Sequence, residues 1–242
     1  MTNKENLGKD YSATPNQEPK VKPAADMTPM RFESGYDTLI LLERHGRSVA
    51  NEQRIYLGHT DEDLSPRGFA QAERTAEFLG DVKIDAVYTS DLIRARHTAE
   101  PNALRRGLSV HAEERLREVY VGEWENRKVE ELQREYEHEF FDGWVKSFGT
   151  FTLPGGESIP HAAERFLSRV REIAEENAGK TVLIASHAAV IRSSFAKAKG
   201  IPAERVADEL PFPDNASISV LYYKDGELVA GEYSHSAHLS DI

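Results

Sequence analysis

The chain has 242 residues, of which 39% are hydrophobic, so it is long enough to bury one good core. Its formal net charge of −11 disfavours general binding to nucleic acid or anionic lipid, and the absence of cysteine excludes disulfides and thiolate metal sites. Any anionic ligand would therefore need a local cationic pocket.

Residues 1–35 are predicted to form a disordered tail, because they are rich in Pro, Asn, Lys and Glu and show no apolar period. Residues 36–242 are predicted to form one folded, catalytic domain. The tail lacks the apolar stretch of a secretory signal, and no run elsewhere is long enough to span a membrane. We expect a soluble, cytoplasmic protein that binds neither membrane nor nucleic acid.

Short aliphatic runs predict buried strands at 38–43 (TLILLE), 84–89 (IDAVYT) and 181–186 (TVLIAS). Between the first two runs, Ser65 and Pro66 start a helical pattern that Gly80 ends, and a second helix is predicted over about 160–177. This alternation predicts a three-layer α/β/α fold with a mostly parallel central sheet.

Three stretches are less regular. Residues 126–150 are charged and aromatic, and we expect them to begin as a helix and to form an insertion or lid. Pro101 is expected to kink or end a helix that begins near Leu92, because it lacks an N–H. The Lys224-Asp225-Gly226 sequence predicts a turn between two C-terminal strands.

Cationic side chains follow each predicted central strand. Arg44 and His45 follow the first strand, Arg94 comes shortly after the second, and His187 follows the third. The carboxyl ends of parallel strands meet at one edge of a sheet, where ligands bind in such folds. Two imidazoles and two guanidiniums match the oxygens of a tetrahedral dianion, and an imidazole can also attack phosphorus. The sequence therefore predicts a phosphate site.

Competing motifs match less well. Residues 178–181 end like a P-loop but precede a strand, and position 174 is Ala where the motif has Gly. Residues 46–50 approach the nucleophile elbow of serine hydrolases but lack its last glycine. His235 and His238 have no acidic residues or cysteines at metal-ligand spacing, so we expect no metal there.

The chain resembles the histidine phosphatase superfamily, the phosphoglycerate mutase-like group, over roughly residues 37 to 223. The resemblance lies in motifs that occur in the family order and are specific as a set: Arg44-His45-Gly46 with Ser48 and Asn51, Gly58-His59-Thr60-Asp61, Leu64-Ser65-Pro66-Arg67-Gly68, Gln71-Ala72, Ser90-Asp91-Leu92-Ile93-Arg94-Ala95 with Thr98-Ala99, Leu116-Arg117-Glu118 with Gly122, Trp124 and Glu125, Pro154-Gly155-Gly156-Glu157-Ser158, and Ser186-His187.

The resemblance implies a phosphoglycerate mutase-like fold and a phosphohistidine intermediate on His45, with no metal and no cofactor. It also implies a phosphate pocket formed by Arg44, Asn51, Arg94 and His187, and a proton donor at Glu118. Simpler roles stay open for two of these residues. Glu118 could be one more surface carboxylate of an acidic chain, and Asn51, like Ser48, could cap a turn.

The chain departs from the family pattern at three positions. Arg47 stands where the family often has Glu or Gln, Ala188 where Gly often follows the second histidine, and Asn126 where Gly often follows Trp-Glu. Ala188 puts in doubt a left-handed backbone close to phosphate. Arg47 adds positive charge that would favour a second anionic group on the substrate.

Within the family, the sequence favours a phosphatase of the histidine acid phosphatase type that acts on a small phosphorylated metabolite. Cofactor-dependent mutases carry a basic segment with paired arginines after the acid residue, whereas residues 123–143 are mainly acidic here. A phosphoglycerate mutase-type phosphotransfer and a non-catalytic phosphate-binding relative are the alternatives. The oligomeric state is left open, with a homodimer as one alternative.

Overall fold

A six-stranded sheet forms the centre of the computed structural model, which describes residues 25–242. Its strands are β1 (Thr38–Arg44), β2 (Ala86–Ser90), β3 (Val110–Glu113), β4 (Thr181–Ser186), β5 (Ile218–Lys224) and β6 (Glu227–Ala230). Their spatial order is β3-β2-β4-β1-β5-β6. The first four in space are parallel to one another, while β5 is antiparallel to β1 and β6 is antiparallel to β5.

Helices cover both faces of the sheet. They are α1 (Val49–Gln53), α2 (Pro66–Phe78), α3 (Ile93–Arg106), α4 (Val129–Glu135), α5 (Ile159–Glu176), α6 (Ala188–Ala198) and α7 (Val206–Glu209). Alternate residues of β1 face opposite ways: Leu39 and Leu41 pack with α2 and α3, whereas Ile40 and Leu42 pack with α5 and α6. The predicted three-layer, mostly parallel architecture is confirmed.

Local signals explain where the two long amphipathic helices begin. Ser65 caps α2 by accepting a hydrogen bond from the Gly68 N–H at 3.2 Å, and Pro66 occupies its first turn. Ser158 caps α5 in the same way through the His161 N–H at 3.3 Å. The buried faces of these helices then pack on opposite sides of the sheet.

Helix α3 does not end at Pro101. It continues to Arg106 and stops at Gly107, whose φ of 64° is left-handed. Proline removes only one helical hydrogen bond, and Ala95, Ala99 and Ala103 are buried on the same helix. Tertiary packing of this small-residue face therefore maintains the helix through the proline.

The C-terminal hairpin prediction is confirmed: β5 and β6 are joined through Asp225 and Gly226, with φ of 52° and 85°. Strand β3 was not predicted, because its exposed sequence VHAE has no apolar run. The insertion begins with α4, as predicted, and continues as a wide π-helical segment, Glu139–Lys146.

Most of the predicted tail, residues 1–24, lies outside the described residues. From the remainder, Met30 and Phe32 pack against the core between the sheet, α2 and α3. The domain boundary at residue 36 stays a prediction.

Candidate active site

Strand pairing brings the two predicted site histidines together. Arg44 and Ser186 are register partners at the ends of β1 and β4, so His45 and His187 leave the sheet side by side. The His45 N–H donates to the Ser186 carbonyl at 2.8 Å. The two imidazole centroids are 5.2 Å apart, and the rings are inclined by 58°. The exposed fractions are 5% for His45 and 0% for His187.

The hydrogen bonding of His45 leaves one ring nitrogen available for reaction. Its Nδ1 lies 2.7 Å from the carbonyl oxygen of Gly46. A carbonyl can only accept a hydrogen bond, so Nδ1 carries the proton and Nε2 keeps its lone pair. Burial, followed by the charges of Arg94 and Arg44, holds the pKa of His45 well below its ordinary value. The imidazole is therefore neutral and nucleophilic at Nε2.

Both predicted arginines lie beside this histidine. Arg94 is 2% exposed, and its terminal nitrogens donate to the main-chain oxygens of Thr60 and Gly58, each at 2.8 Å. Burial lowers its pKa to about 10, and the nearby carboxylate of Glu118 is the largest opposing influence. Arg44 is half-buried at the end of β1 and donates to the Pro213 carbonyl. With this pKa the Arg94 guanidinium remains charged at neutral pH.

His187 has an unusual hydrogen-bonding state. It is fully buried at the N-cap of α6, yet within residues 25–242 neither ring nitrogen has a hydrogen-bond partner. Burial first, then the charge of Arg94, lowers the pKa of His187 well below its ordinary value. Buried polar groups are nearly always satisfied in folded proteins, so this imidazole is suited to a ligand.

Glu118 lies where α6 begins. One carboxylate oxygen accepts hydrogen bonds from the Val119 and Val190 N–H groups at 2.9 and 3.2 Å, and the other from the Ala189 N–H at 3.0 Å. The positive N-terminal end of α6, which begins directly after His187, therefore holds the Glu118 carboxylate. The side chain is half-buried and not part of the open surface.

Asn51 performs the capping role that the sequence left open. Its Oδ1 accepts from the Ser48 N–H at 3.2 Å, and its own N–H donates to Ser48 Oγ at 3.1 Å, which closes a capping box on α1. The same Oδ1 accepts from Asn215 Nδ2 at 3.2 Å. That amide nitrogen also donates to the His45 carbonyl at 3.1 Å, so Asn215 is a site residue that sequence reasoning missed.

A cavity of about 760 Å³ joins these groups. Of the six predicted site residues, Arg44, His45, Asn51, Arg94 and Glu118 line it, while His187 is buried beside His45. Trp144, from the predicted insertion, forms part of its wall, as do Phe212 and residues near 240. The insertion therefore borders the site, as expected of a lid.

Within residues 25–242, no group of three or more His, Cys, Asp and Glu side chains is placed to hold a metal ion. In the same range, every helix is too short or too polar to cross a bilayer.

Comparison with known proteins identifies the family. A model described as histidine phosphatase superfamily (branch 1) matches residues 40–234. The chain belongs to this superfamily. Phosphoserine phosphatase 1 of Hydrogenobacter thermophilus is 30% identical over 204 residues, which cover 84% of this chain and 95% of that protein.

Solved structures of the superfamily share the fold. Bacillus stearothermophilus YhfR superposes with a TM-score of 0.78 at 28% identity, covering 84% of this chain and 99% of its own. A mycobacterial glucosyl-3-phosphoglycerate phosphatase, solved with VO3, gives a TM-score of 0.76 at 26% identity. The match covers 82% of this chain and 99% of that one. Two of these three relatives are phosphatases by name.

The structure accommodates two departures from the superfamily pattern. Asn126 has a φ of 59°, a left-handed conformation that Asn tolerates better than most residues, and its side chain donates to Thr60 Oγ1 at 3.1 Å. Ala188 begins α6 and does not have a positive φ. The doubt about a left-handed backbone at that position is thereby removed.

His59 and Arg165 fix the main chain of Glu118. His59 Nε2 donates to the Glu118 carbonyl at 2.8 Å, and an Arg165 terminal nitrogen donates to the same oxygen at 3.0 Å. Glu157, of the Pro-Gly-Gly-Glu-Ser motif, binds Arg165 at 2.9 and 3.0 Å, and Glu125 accepts from the His59 N–H at 2.8 Å. In the sequence the two carboxylates stood out only as members of the family motifs.

Proposed function

We propose that the protein is a phosphomonoester hydrolase that acts on a small phosphorylated metabolite through a phosphohistidine on His45. The observation that carries this proposal is a buried, neutral imidazole with Nε2 unprotonated, flanked by Arg44, Arg94 and His187. Among residues 25–242 the ring nitrogens of His187 have no hydrogen-bond partner. Phosphatases among the relatives support the same reaction class. The lack of cysteine agrees with a cytoplasmic location, which we propose as well.

In the first step, Nε2 of His45 attacks phosphorus in line with the ester oxygen. The N–P bond forms as the P–O bond breaks, and the bond's electron pair stays on the alcohol oxygen, which takes a proton from Glu118. The positive charge that develops on the imidazole is stabilised by the Nδ1–H donated to the Gly46 carbonyl.

In the second step, water attacks the phosphohistidine. Glu118, now a carboxylate, accepts a proton from this water, and the N–P bond breaks with its electron pair returning to Nε2. Inorganic phosphate leaves, and both His45 and Glu118 recover their starting protonation. This role requires Glu118 to be protonated before the first step.

The cationic groups assist both steps by electrostatic stabilisation. Arg44 and Arg94 neutralise the phosphoryl oxygens and so ease the approach of a nucleophile to an anion. His187 can donate one ring N–H to an oxygen of the phosphoryl group, which would give this buried side chain the hydrogen-bond partner that residues 25–242 do not supply. We assign Asn51 to the phosphate pocket as well, through its side-chain NH₂ group (Nδ2), which takes no part in the capping bonds.

A mutase is the alternative, and the pairing of charges in the insertion disfavours it. Arg127 forms ion pairs with Glu131 and Glu135 at 3.5 and 2.6 Å, and Arg134 lies 4.0 Å from Glu135. Arginines that are already paired with glutamates are poorly placed to hold the carboxylate and second phosphate of a phosphoglycerate.

The deciding experiment compares wild type with His45→Ala and with His138→Ala, an exposed-histidine control. Wild type and the control should release phosphate from members of a panel of sugar phosphates, phosphoglycerates, nucleotides and phosphoamino acids. His45→Ala should fold, form no labelled phosphoenzyme and show no turnover. Near-normal turnover in folded His45→Ala would contradict the proposal, and conversion of 3- to 2-phosphoglycerate without phosphate release would favour the mutase.

We also expect EDTA to leave the rate of phosphate release unchanged. Two arginines and two histidines already supply the positive charge that a metal would bring to the phosphoryl group. The measurement is phosphate release before and after chelation, followed by addition of divalent metals. A rate that falls with EDTA and recovers with metal would show that the site uses a metal.

A further inference from the structure

Arg47 lines the cavity, and its charge has no partner in the part of the chain that the structure describes. Its main chain is fixed, because the N–H donates to Gln71 Oε1 at 3.0 Å and the carbonyl accepts from the Ser65 N–H at 2.8 Å. Its side chain is half-buried in the cavity wall, and within residues 25–242 the guanidinium makes no hydrogen bond or ion pair. None of the proposed catalytic steps uses this charge.

A second arginine, Arg67, is held beside Arg47 because two glycines pack closely against the neighbouring main chain. A Cβ on Gly46 would lie 2.5 Å from the Gly68 oxygen, and a Cβ on Gly68 would lie 2.0 Å from the Arg47 oxygen. The first turn of α2 can therefore touch the backbone after β1, and it brings Arg67 to the same cavity. Burial, then the charge of Arg67, lowers the pKa of Arg47.

Among the described residues, acidic side chains do not pair with Arg47. The negative charges of Glu52 and Asp214 raise the pKa of Arg47 and so partly offset the lowering. Neither carboxylate lies within ion-pair distance of Arg47 in the described residues. Asp214 instead accepts a hydrogen bond from Ser236 Oγ at 2.8 Å. Arg67 donates to a main-chain oxygen of Ile242, the last residue of the sequence, at 2.8 Å. Among residues 25–242 the charge of Arg47 therefore has no partner, while the like charge of Arg67 lies nearby, and an anionic ligand would relieve that repulsion.

We infer that Arg47, assisted by Arg67, is a specificity-determining residue that binds a second anionic group, a carboxylate or a second phosphate, on the alcohol part of the substrate. The inference rests on the proposed phosphatase function. His45 and Arg47 are two residues apart, so their Cα atoms are separated by at most about 7 Å. One small molecule can therefore place its reacting phosphate at His45 and a second anion at Arg47. A guanidinium fork suits either anion.

The test compares kcat/KM within matched substrate pairs. 3-Phosphoglycerate and glycerol 3-phosphate differ by a carboxylate in place of a hydroxymethyl group, and fructose 1,6-bisphosphate and fructose 6-phosphate differ by a second phosphate. Wild type should prefer the doubly anionic member of at least one pair, and the pair that shows the preference identifies the anion. Arg47→Gln should reduce that preference by about tenfold, mainly through KM. Arg96→Gln, at an exposed position on α3, is the charge-matched control.

Binding of non-hydrolysable ligands separates this inference from the proposed function. Wild type should bind 3-phosphonopropionate more tightly than propylphosphonate by calorimetry, and Arg47→Gln should lose the difference while Arg47→Lys keeps part of it. Hydrolysis with an unchanged substrate ratio and unchanged phosphonate binding in Arg47→Gln would overturn the inference and leave the phosphatase function standing. Failure to hydrolyse any phosphate ester, p-nitrophenyl phosphate included, or to form a phosphoenzyme would overturn both.

Discussion

At the scale of single residues, the state of each side chain is determined by neighbours that are distant in sequence. His45 stays neutral because it is buried next to Arg94 and Arg44, and its reactive nitrogen is selected by one carbonyl oxygen. Glu118 is held by main-chain N–H groups at the start of α6. These two residues carry the proposed chemistry, and the assignment of Glu118 as the acid most needs an independent test.

Glu118→Gln should discriminate between leaving groups. An alkoxide leaves poorly, so phosphohistidine formation from an alkyl phosphate should slow by about 10²- to 10⁴-fold when the proton donor is lost. Nitrophenolate leaves well unaided, so formation from p-nitrophenyl phosphate should slow far less. Both rates must be single turnovers, because the later attack by water also uses Glu118. Glu204→Gln, at an exposed position, is the control.

Equal slowing with both substrates would show that Glu118 is not the acid. Glu125 and Glu157 would then be the carboxylates to test, although both are engaged elsewhere: Glu125 accepts from the Thr60 N–H at 3.0 Å, and Glu157 pairs with Arg165.

At the scale of secondary-structure elements, parallel pairing and helix starts assemble the site. The β1–β4 register aligns the two histidines, and α6 begins immediately after the second one. Helix α5 contributes from further away, because Arg165 reaches the main-chain oxygens of Arg115, Arg117 and Glu118 at 2.9 to 3.1 Å. One side chain of α5 thus fixes the segment that carries the proposed acid.

Arg165→Gln should therefore show the same pattern of rate losses as Glu118→Gln, but with smaller losses. Loss of a positioning residue can misplace a reacting group by about 1 Å, which costs up to roughly 10²-fold in rate. We expect kcat for alkyl phosphates to fall by about 10- to 100-fold with little change in KM, and the rate with p-nitrophenyl phosphate to fall less. Arg165→Lys should restore part of the loss.

Arg171→Gln removes a charge from the same helix and is the matched control, since Arg171 pairs only with Glu164 among the described residues. If Arg165→Gln lowers the melting temperature but slows both substrates equally, Arg165 acts on stability and not on the position of Glu118.

At the scale of the whole molecule, an acidic protein surrounds a cationic cavity and a buried acid. The net charge of −11 opposes unspecific anion binding, while Arg44, Arg47 and Arg94 collect at one cavity. On the side of β1 that packs against α3, Glu43 is fully buried, and it accepts a hydrogen bond from Asn102 Nδ2 at 3.4 Å. Burial raises the pKa of Glu43 well above its ordinary value. The fold therefore favours the neutral carboxyl.

This buried acid predicts how stability depends on pH. Because the folded pKa of Glu43 is above the unfolded value, its neutral form contributes fully below the unfolded pKa, and that contribution is lost as the pH rises through the folded pKa. Between the two pKa values, the free energy of unfolding should fall by about 1.4 kcal/mol per pH unit. Glu43→Gln should remove this slope while Glu204→Gln keeps it. Urea unfolding between pH 5 and pH 9 measures both, and identical slopes in wild type and Glu43→Gln would contradict the prediction.

The sequence by itself determined the local elements and the positions of the chemistry. Apolar runs located β1, β2 and β4, a serine-proline start located α2, and apolar residues at helical spacing located α5. Arg44, His45 and His187 could be placed at strand ends before any contact was known. The reason is physical: periodicity, caps and turn residues act over a few positions, and parallel strand ends converge by geometry.

Only the tertiary structure decided the rest. Helix α3 continues through Pro101 because its alanine face is buried, and β3 forms because its main chain pairs with β2 although its side chains are exposed. His59 and Arg165 act on the carbonyl of Glu118, and every residue type supplies a carbonyl. A hydrogen bond to the main chain of a distant segment leaves no mark on the residue that accepts it, so these positions become visible only when the fold brings the donors there.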